Sequence, residues 1–353
     1  MNTVAESKSG QDWTRGAGIE SGARPWALLR ALGSLRLALV LLPVTAGAVI
    51  FTAAREAPAP WPMLLALGLL GVNLTAAIAV HPALRLQRPL LAFHLALLAI
   101  IALAGAGRLT YLTGHVELSE GEAFSGHLSG ADAGVWHPWG IRDLRFTHEG
   151  FTIDYLPGRQ RDRTQARVSY PDPAGTQRTV LIGDQVPLVL AGYRFYTSFN
   201  KGFALKFAWY PRRGAPQRGD IHLPSYPMHE YRQVNTWTPP GSSSALWIQL
   251  QFDEALLDPA ASARFEIPKD HVVVVRGGER RAELRPGGVL EVDGGRLLYE
   301  GVGTWMGYKV FYDWTIPWLL AACLVAALSL AWHFWSKFSA QPWLRPAPDR
   351  WAP

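Results

Sequence analysis

PLLAFHLALLAIIALAGAGRLTYLTGHVELSEGEAF, residues 89 to 124, changes character part-way along. From Pro89 to Gly107 it holds no Asp, Glu, Lys or Arg. At 1.5 Å of helical rise per residue, such a run crosses a hydrocarbon core about 30 Å thick. From Arg108, RLTYLTGHVELSEGEAF leads into a region that reads as β-rich. This is where a membrane span hands over to a β-rich domain. The one ionisable group inside the span is His94.

Three other stretches lack charged residues over a comparable length: Leu37 to Ala54, Ala57 to Val80 and Trp314 to Ser336. The chain therefore reads as an integral membrane protein with four helical spans. The first run follows about 36 residues, too many for an ordinary signal-peptide n-region, and two further spans come close behind it, so it reads as an uncleaved anchor. Basic residues in short loops set orientation. Lys8, Arg15, Arg24, Arg30 and Arg36 precede the first span, Arg85 and Arg88 link the second to the third, and Lys337, Arg345 and Arg350 follow the fourth. The link between the first two spans has only Arg55, offset by Glu56. The termini are thus expected on the cytoplasmic side and the segment from about 109 to 313 outside. The net charge of +6 speaks for topology before it speaks for nucleic acid, and no nucleic-acid partner is expected.

The exported segment holds many short runs rich in β-branched and aromatic residues, bounded by Gly, Pro, Asp or Asn, among them FTIDYLP, ARVSYPD, RTVLIGD, YRFYTSF, ALKFAWYP, ALWIQLQFD, HVVVVRG and VLEVDGG. Turns such as DGG, RGG and PGG point to antiparallel hairpins in a sandwich or barrel-like sheet. Pro211 to Ser244 reads as a long loop or insertion. The expected layout is a cytoplasmic tail (1–33), three transmembrane helices (34–108), a periplasmic all-β domain (109–313), a fourth transmembrane helix (314–336) and a cytoplasmic tail (337–353). The single cysteine, Cys323, falls in the fourth span, which leaves no intrachain disulfide and no CxxC.

Few residues carry recognisable chemistry. His94 is either a ligand or proton-handling group facing other helices, or a neutral ring hydrogen-bonded within the membrane. Neutral imidazole is also a natural axial ligand of haem iron. In WHPWG, Trp136 and Trp139 surround His137, which suits either a flat hydrophobic cofactor or a turn whose tryptophans rest at the membrane interface. His222 and His229, with Glu230, have no standard metal-ligand spacing. His333, in WHFWSKF, sits where an aromatic belt meets a basic flank. No nucleophile elbow, phosphate loop, zinc-protease motif or dinucleotide fingerprint stands in a fitting context, so no stand-alone catalytic residue is assigned.

The order of the pieces resembles the ResB-like family of cytochrome c biogenesis proteins, the B-type component of system II. GSLRLALVLLPVTAGAVIFTA (33–53) is similar to that family's opening span, and FHLALLAIIALAG (93–105) to its third span, with His after an aromatic residue. GHVELSEGEAF (114–124), FTIDYLPGRQRDRTQARVSY (151–170), IGDQVPLVLAGYRFYTSF (182–199) and GYKVFYDWTIPWLLAACLVAALSLAWHFW (307–335) resemble the family's successive segments into and out of the exported domain. The resemblance runs from about residue 33 to 338.

That resemblance implies a membrane subunit that helps export haem and present apocytochrome c for haem attachment. Its partner would be a multi-span, tryptophan-rich, haem-handling membrane protein in the bacterial inner membrane. On that reading His94 is a transient haem ligand, with His333 and His137 as lesser candidates, and no metal ion is bound otherwise. The tryptophan-rich motif is absent here, so complete ligation needs another chain. The competing reading is a non-catalytic scaffold or assembly factor that uses its β domain to bind a protein.

Overall fold

The computed structural model describes residues 23–54, 60–172, 174–278 and 280–339. Lys8, Arg15, Arg55, Glu56, Arg345 and Arg350, on which part of the orientation argument rests, lie outside the described residues. The chain divides into a helical unit built from both ends of the sequence and a β unit, Thr110–Asp313.

The helical unit contains α1 (Ala23–Leu32), α2 (Leu35–Ala53), α3 (Trp61–Val80), the short α4 (Pro82–Leu86), α5 (Arg88–Thr110) and α6 (Ile316–Ser339). Of these, α2, α3, α5 and α6 are long and apolar enough to cross a membrane. Leu39, Leu69 and Leu324 stand exposed along them, which is tolerable only where lipid replaces water. The protein is an integral membrane protein.

Small and polar residues hold the first helices together, as expected where lipid removes the hydrophobic drive for helix pairing. Ser34 breaks α1 from α2 and caps α2, its Oγ accepting from Leu37 N at 3.3 Å. The carbonyls left free at this break are taken up by α3: the Asn73 amide donates to Leu32 O and to Ser34 O. A Cβ on Gly33 would lie 2.7 Å from Ala77 N, so only glycine lets the two backbones approach this closely.

The β unit is antiparallel throughout its three sheets. The strands are β1 (Leu112–Ser119), β2 (Gly130–Ala133), β3 (Thr147–Leu156), β4 (Gln160–Pro171), β5 (Gln177–Gly183), β6 (Leu188–Leu190), β7 (Tyr193–Pro211), β8 (Gln217–Pro224), β9 (Val234–Trp237), β10 (Leu246–Gln251), β11 (Ala263–Arg264), β12 (Val272–Gly277), β13 (Arg280–Leu284), β14 (Val289–Val292) and β15 (Gly295–Tyr312). A seven-stranded sheet runs β2-β1-β15-β7-β6, with β14 added to β15 and β8 to β7. The two four-stranded sheets run β13-β12-β10-β9 and β11-β3-β4-β5. The sheets do not close into a barrel, and one hydrophobic core joins all three.

Two sequence expectations need correction. YRFYTSF and ALKFAWYP are one strand, β7, because the intervening residues form a bulge: Ser198–Asn200 stand opposite the single residue Gly307. Two extra residues preserve the two-residue period, so Tyr193 and Phe195 face inward before the bulge and Phe203, Leu205, Phe207 and Trp209 after it. Pro211 to Ser244 is also not one long loop. It carries β8, which extends the main sheet, and β9, which begins the next.

Buried tyrosines on the long strands each meet a histidine. Tyr193 OH lies 2.9 Å from His137 Nε2, Tyr299 OH 2.8 Å from His271 Nε2, and Tyr308 OH 2.7 Å from His148 Nδ1. His148 is fully buried and its Nε2 has no partner among the described residues. Burial pulls its pKa down to about 4. Between pH 6.5 and 4 the unfolded chain takes up a proton that the folded chain refuses. The stabilising effect is therefore complete above about pH 6.5 and lost as pH falls, by about 1.4 kcal/mol per pH unit. Denaturant unfolding of wild type and His148→Leu at pH 6.5 and pH 5 checks this: the wild type should lose more stability than the variant across that interval, and equal losses would clear His148 of the effect.

Candidate functional site

In the membrane unit, His94 sits in the second turn of α5 beside Phe93, whose ring meets it edge-on at 5.3 Å. Its Nδ1 lies 2.7 Å from Leu90 O, one turn back on the same helix. A carbonyl can only accept, so Nδ1 carries the proton, and in the neutral ring the lone pair is on Nε2. A half-buried imidazole held by a backbone carbonyl with Nε2 free to coordinate is how a protein presents a histidine to a metal. The helix on either side of His94 is apolar, LLAF before and LALLAIIALA after. The donor type, the tautomer and the surroundings fit haem. His333 lies in α6, buried, next to Phe334, and its carbonyl accepts from Ser336 Oγ at 2.8 Å.

In the β unit, His137 is not placed to hold a cofactor. Both ring nitrogens are engaged, Nδ1 with Thr110 O at 2.7 Å and Nε2 with Tyr193 OH. Trp139, Tyr193 and Tyr312 surround the ring edge-on at 5.2, 5.7 and 5.1 Å.

A cleft of about 680 Å³ elsewhere on the β unit gathers the chemistry that the sequence left scattered. Glu117 and Ser119 are two apart on β1 and so share a face. The His222 ring is held between them, Nδ1 3.0 Å from Glu117 Oε2 and Nε2 3.1 Å from Ser119 Oγ. It also stacks flat on Trp305 at 4.3 Å, and Trp305 Nε1 donates to Leu223 O. The hydrogen-bond chain has the order of an acid–histidine–serine relay. Yet Ser119 is buried, its N–H donates to Glu122 Oε2, and that carboxylate stands where an oxyanion would need donors. The arrangement is a His222 ring fixed at both nitrogens and stacked on the Trp305 indole. His229 and Glu230 line the same cleft. They and Tyr231 all have left-handed φ values, 54°, 56° and 62°, a local strain that costs on the order of 1–3 kcal/mol per residue. His229 and His222 thus share a cleft, but no group of three or more metal-ligating side chains occurs among the described residues.

Lys201 enters the cleft from the end of the β7 bulge. Its Nζ donates to Ser198 O at 3.0 Å, and Phe199, 74% exposed, sits between it and Arg161, at 5.8 and 5.2 Å from the two cations. Burial, with help from Arg161, brings the ammonium pKa down to about 8, and Asp184 partly opposes the shift. Nothing in the local sequence marks this lysine; only the fold buries it.

The family model described as the ResB-like family matches residues 89–273, just over half of the chain, from the third span through most of the β unit. The chain belongs to the ResB-like family. No curated protein matches it. Among solved structures, one titled cytochrome c heme lyase CcmF aligns at 14% identity over 86% of this chain and 38% of that one, with a TM-score of 0.27. The chain thus spans well under half of that protein's length, and the superposition is too loose to show a common fold.

The depressed lysine can be read directly. The pH profile of acetic anhydride labelling, followed peptide by peptide, should give Lys201 a midpoint near 8. Asp184→Asn should move that midpoint lower, since the carboxylate it removes favours the charged amine. A Lys201 midpoint above 10 would contradict the burial argument.

Proposed function

We propose that this ResB-like chain is the B-type membrane subunit of a system II cytochrome c biogenesis complex, handling haem in its helical unit and holding apocytochrome c on its β unit. Family membership supports the role in cytochrome c biogenesis. The observation that carries the haem assignment is the His94 tautomer, which spends Nδ1 on the Leu90 carbonyl and leaves the ligand-competent lone pair on Nε2.

Bound haem would supply an iron that a neutral imidazole can ligate. The chain's own part is to present Nε2, to keep its lone pair by protonating Nδ1 against Leu90 O, and to exclude water with leucine and phenylalanine side chains. His333 is the second candidate from this chain. Thr110 and Ile316 close the two helices on the side of the β unit in the sequence. Counted from them, His94 lies 16 residues in and His333 17, about 24–26 Å at helical rise. A shared depth is what two ligands of one iron require, and the tryptophan-rich partner supplies whatever this chain lacks. Arg85 in α4 and Arg88 at the first position of α5 favour the cytoplasmic side for that end, with the β unit in the periplasm.

Visible spectra of the chain purified with its partner test the proposal. A Soret band in the wild type should fall several-fold in His94→Gly and return with added imidazole; His333→Gly should lower it if the shared depth matters. Equal haem in wild type and His94→Gly, or none in either, would make His94 structural and leave a scaffold that acts through its β unit.

A further inference from the structure

The WHPWG segment is built the wrong way round for a soluble loop. Its polar residue, His137, is buried, while Val135 and Trp136 are 61% and 69% exposed and Trp139 is 39% exposed. Large apolar side chains are normally the part that a loop turns inward. The inversion is not slack. His137 N donates to Gly134 O at 3.0 Å, closing a turn, and the imidazole is locked by Thr110 O and Tyr193 OH. Trp139 takes a left-handed conformation, φ 56°, which costs energy in a residue with a Cβ. A rigid support therefore holds hydrophobic side chains outward.

What this support is tied to indicates the occupant. Thr110, which accepts the His137 bond, is the last residue of α5, one of the helices long and apolar enough to cross a membrane. The next residue, Tyr111, gives its carbonyl to Gly134 N at 2.9 Å. The loop is thus hydrogen-bonded at its start and at its centre to the two residues where the chain leaves the span. Tryptophan is enriched at that depth of a bilayer, where one face of the ring is apolar and the N–H stays wet. Arg142 places its guanidinium 5.0 Å over the Trp139 ring, and exposed Arg145 follows, cations suited to phosphate headgroups.

We infer that Val135, Trp136 and Trp139 form an interfacial anchor, seated among the lipid headgroups of the leaflet at the C-terminal end of α5, that sets how the β unit stands on the membrane. The partner is the lipid surface itself. The inference stands whether or not the chain ever touches haem.

The test uses the full chain in nanodiscs of zwitterionic and anionic phospholipid, with Cys323→Ala and a single new cysteine, Val135→Cys, carrying the polarity-sensitive fluorophore NBD. Both tryptophans stay in place. Emission should be blue-shifted, quenched several-fold more by a headgroup-level nitroxide lipid than by one labelled deep in the acyl chain, and shielded from aqueous iodide. Gln217→Cys, on exposed β8, reports the fully wet value. Adding Trp136→Ser and Trp139→Ser should restore iodide quenching at position 135 while leaving position 217 unchanged. Iodide access equal to that at 217 without nitroxide quenching would overturn the inference. So would shielding from iodide and nitroxide lipid alike, which would mean that protein covers the loop.

Discussion

The pairing of β7 with β15 is the interaction on which the β unit depends. Each is more than three times the length of a typical strand, and they run antiparallel from Gly295↔Pro211 to Phe311↔Arg194. Every other strand of the main sheet except β2 hydrogen-bonds to one of the two, and β2 is held through β1. The inward side chains of the pair, from Phe195 and Tyr308 to Trp209 and Leu297, form the spine of the core that the smaller sheets cover. The bulge at Ser198–Asn200 adds two residues and keeps the inward period of β7. The one-residue bulge at Glu300 instead switches the inward side of β15 from Leu297 and Tyr299 to Met306, Tyr308 and Val310. The β7 bulge also delivers Phe199 and Lys201 to the cleft. The same irregularity that curves the sheet makes its most unusual surface.

Histidine shows how far context decides chemistry in this molecule. His148 lies in the core, neutral and half-satisfied. His222 is fixed on both nitrogens and stacked flat on Trp305. His137 is a bracket for a loop. His94 combines a defined tautomer with a free coordinating nitrogen inside a helix long and apolar enough to cross a membrane. A residue-type search would have ranked these alike; their hydrogen bonds separate them.

The membrane helices were legible because a span needs nothing but length and the absence of charge, both visible in any run such as Trp61–Val80. The antiparallel β character was legible from the two-residue period and the turn residues. The long strands were not, since SFNKG inside β7 has the composition of a turn and only its partner Gly307 shows that it is a bulge. β8 and β9 were hidden by the Pro, Gly and Arg around them. His94 could be picked out from the sequence because a lone ionisable group in an apolar run has no competitors. The cleft could not: Glu117, Lys201, His222 and Trp305 come from four strands, and no local pattern connects them.

The first and last strands of the β unit are neighbours. β1 pairs with β15 from Leu112↔Tyr312 to Ser119↔Trp305, contacts that bridge nearly the whole unit. A chain made from its N-terminus yields β1 first and its partner last. β7 waits for β15 in the same way. The central sheet therefore cannot be completed strand by strand during synthesis. Hairpins such as β3–β4–β5 and β6–β7–β8 need no later residue, but β1 and β7 each keep an open edge until β15 arrives. The central sheet closes late, and the time taken to make the intervening segment is also the time for which the edges of β1 and β7 must be kept from pairing with anything else.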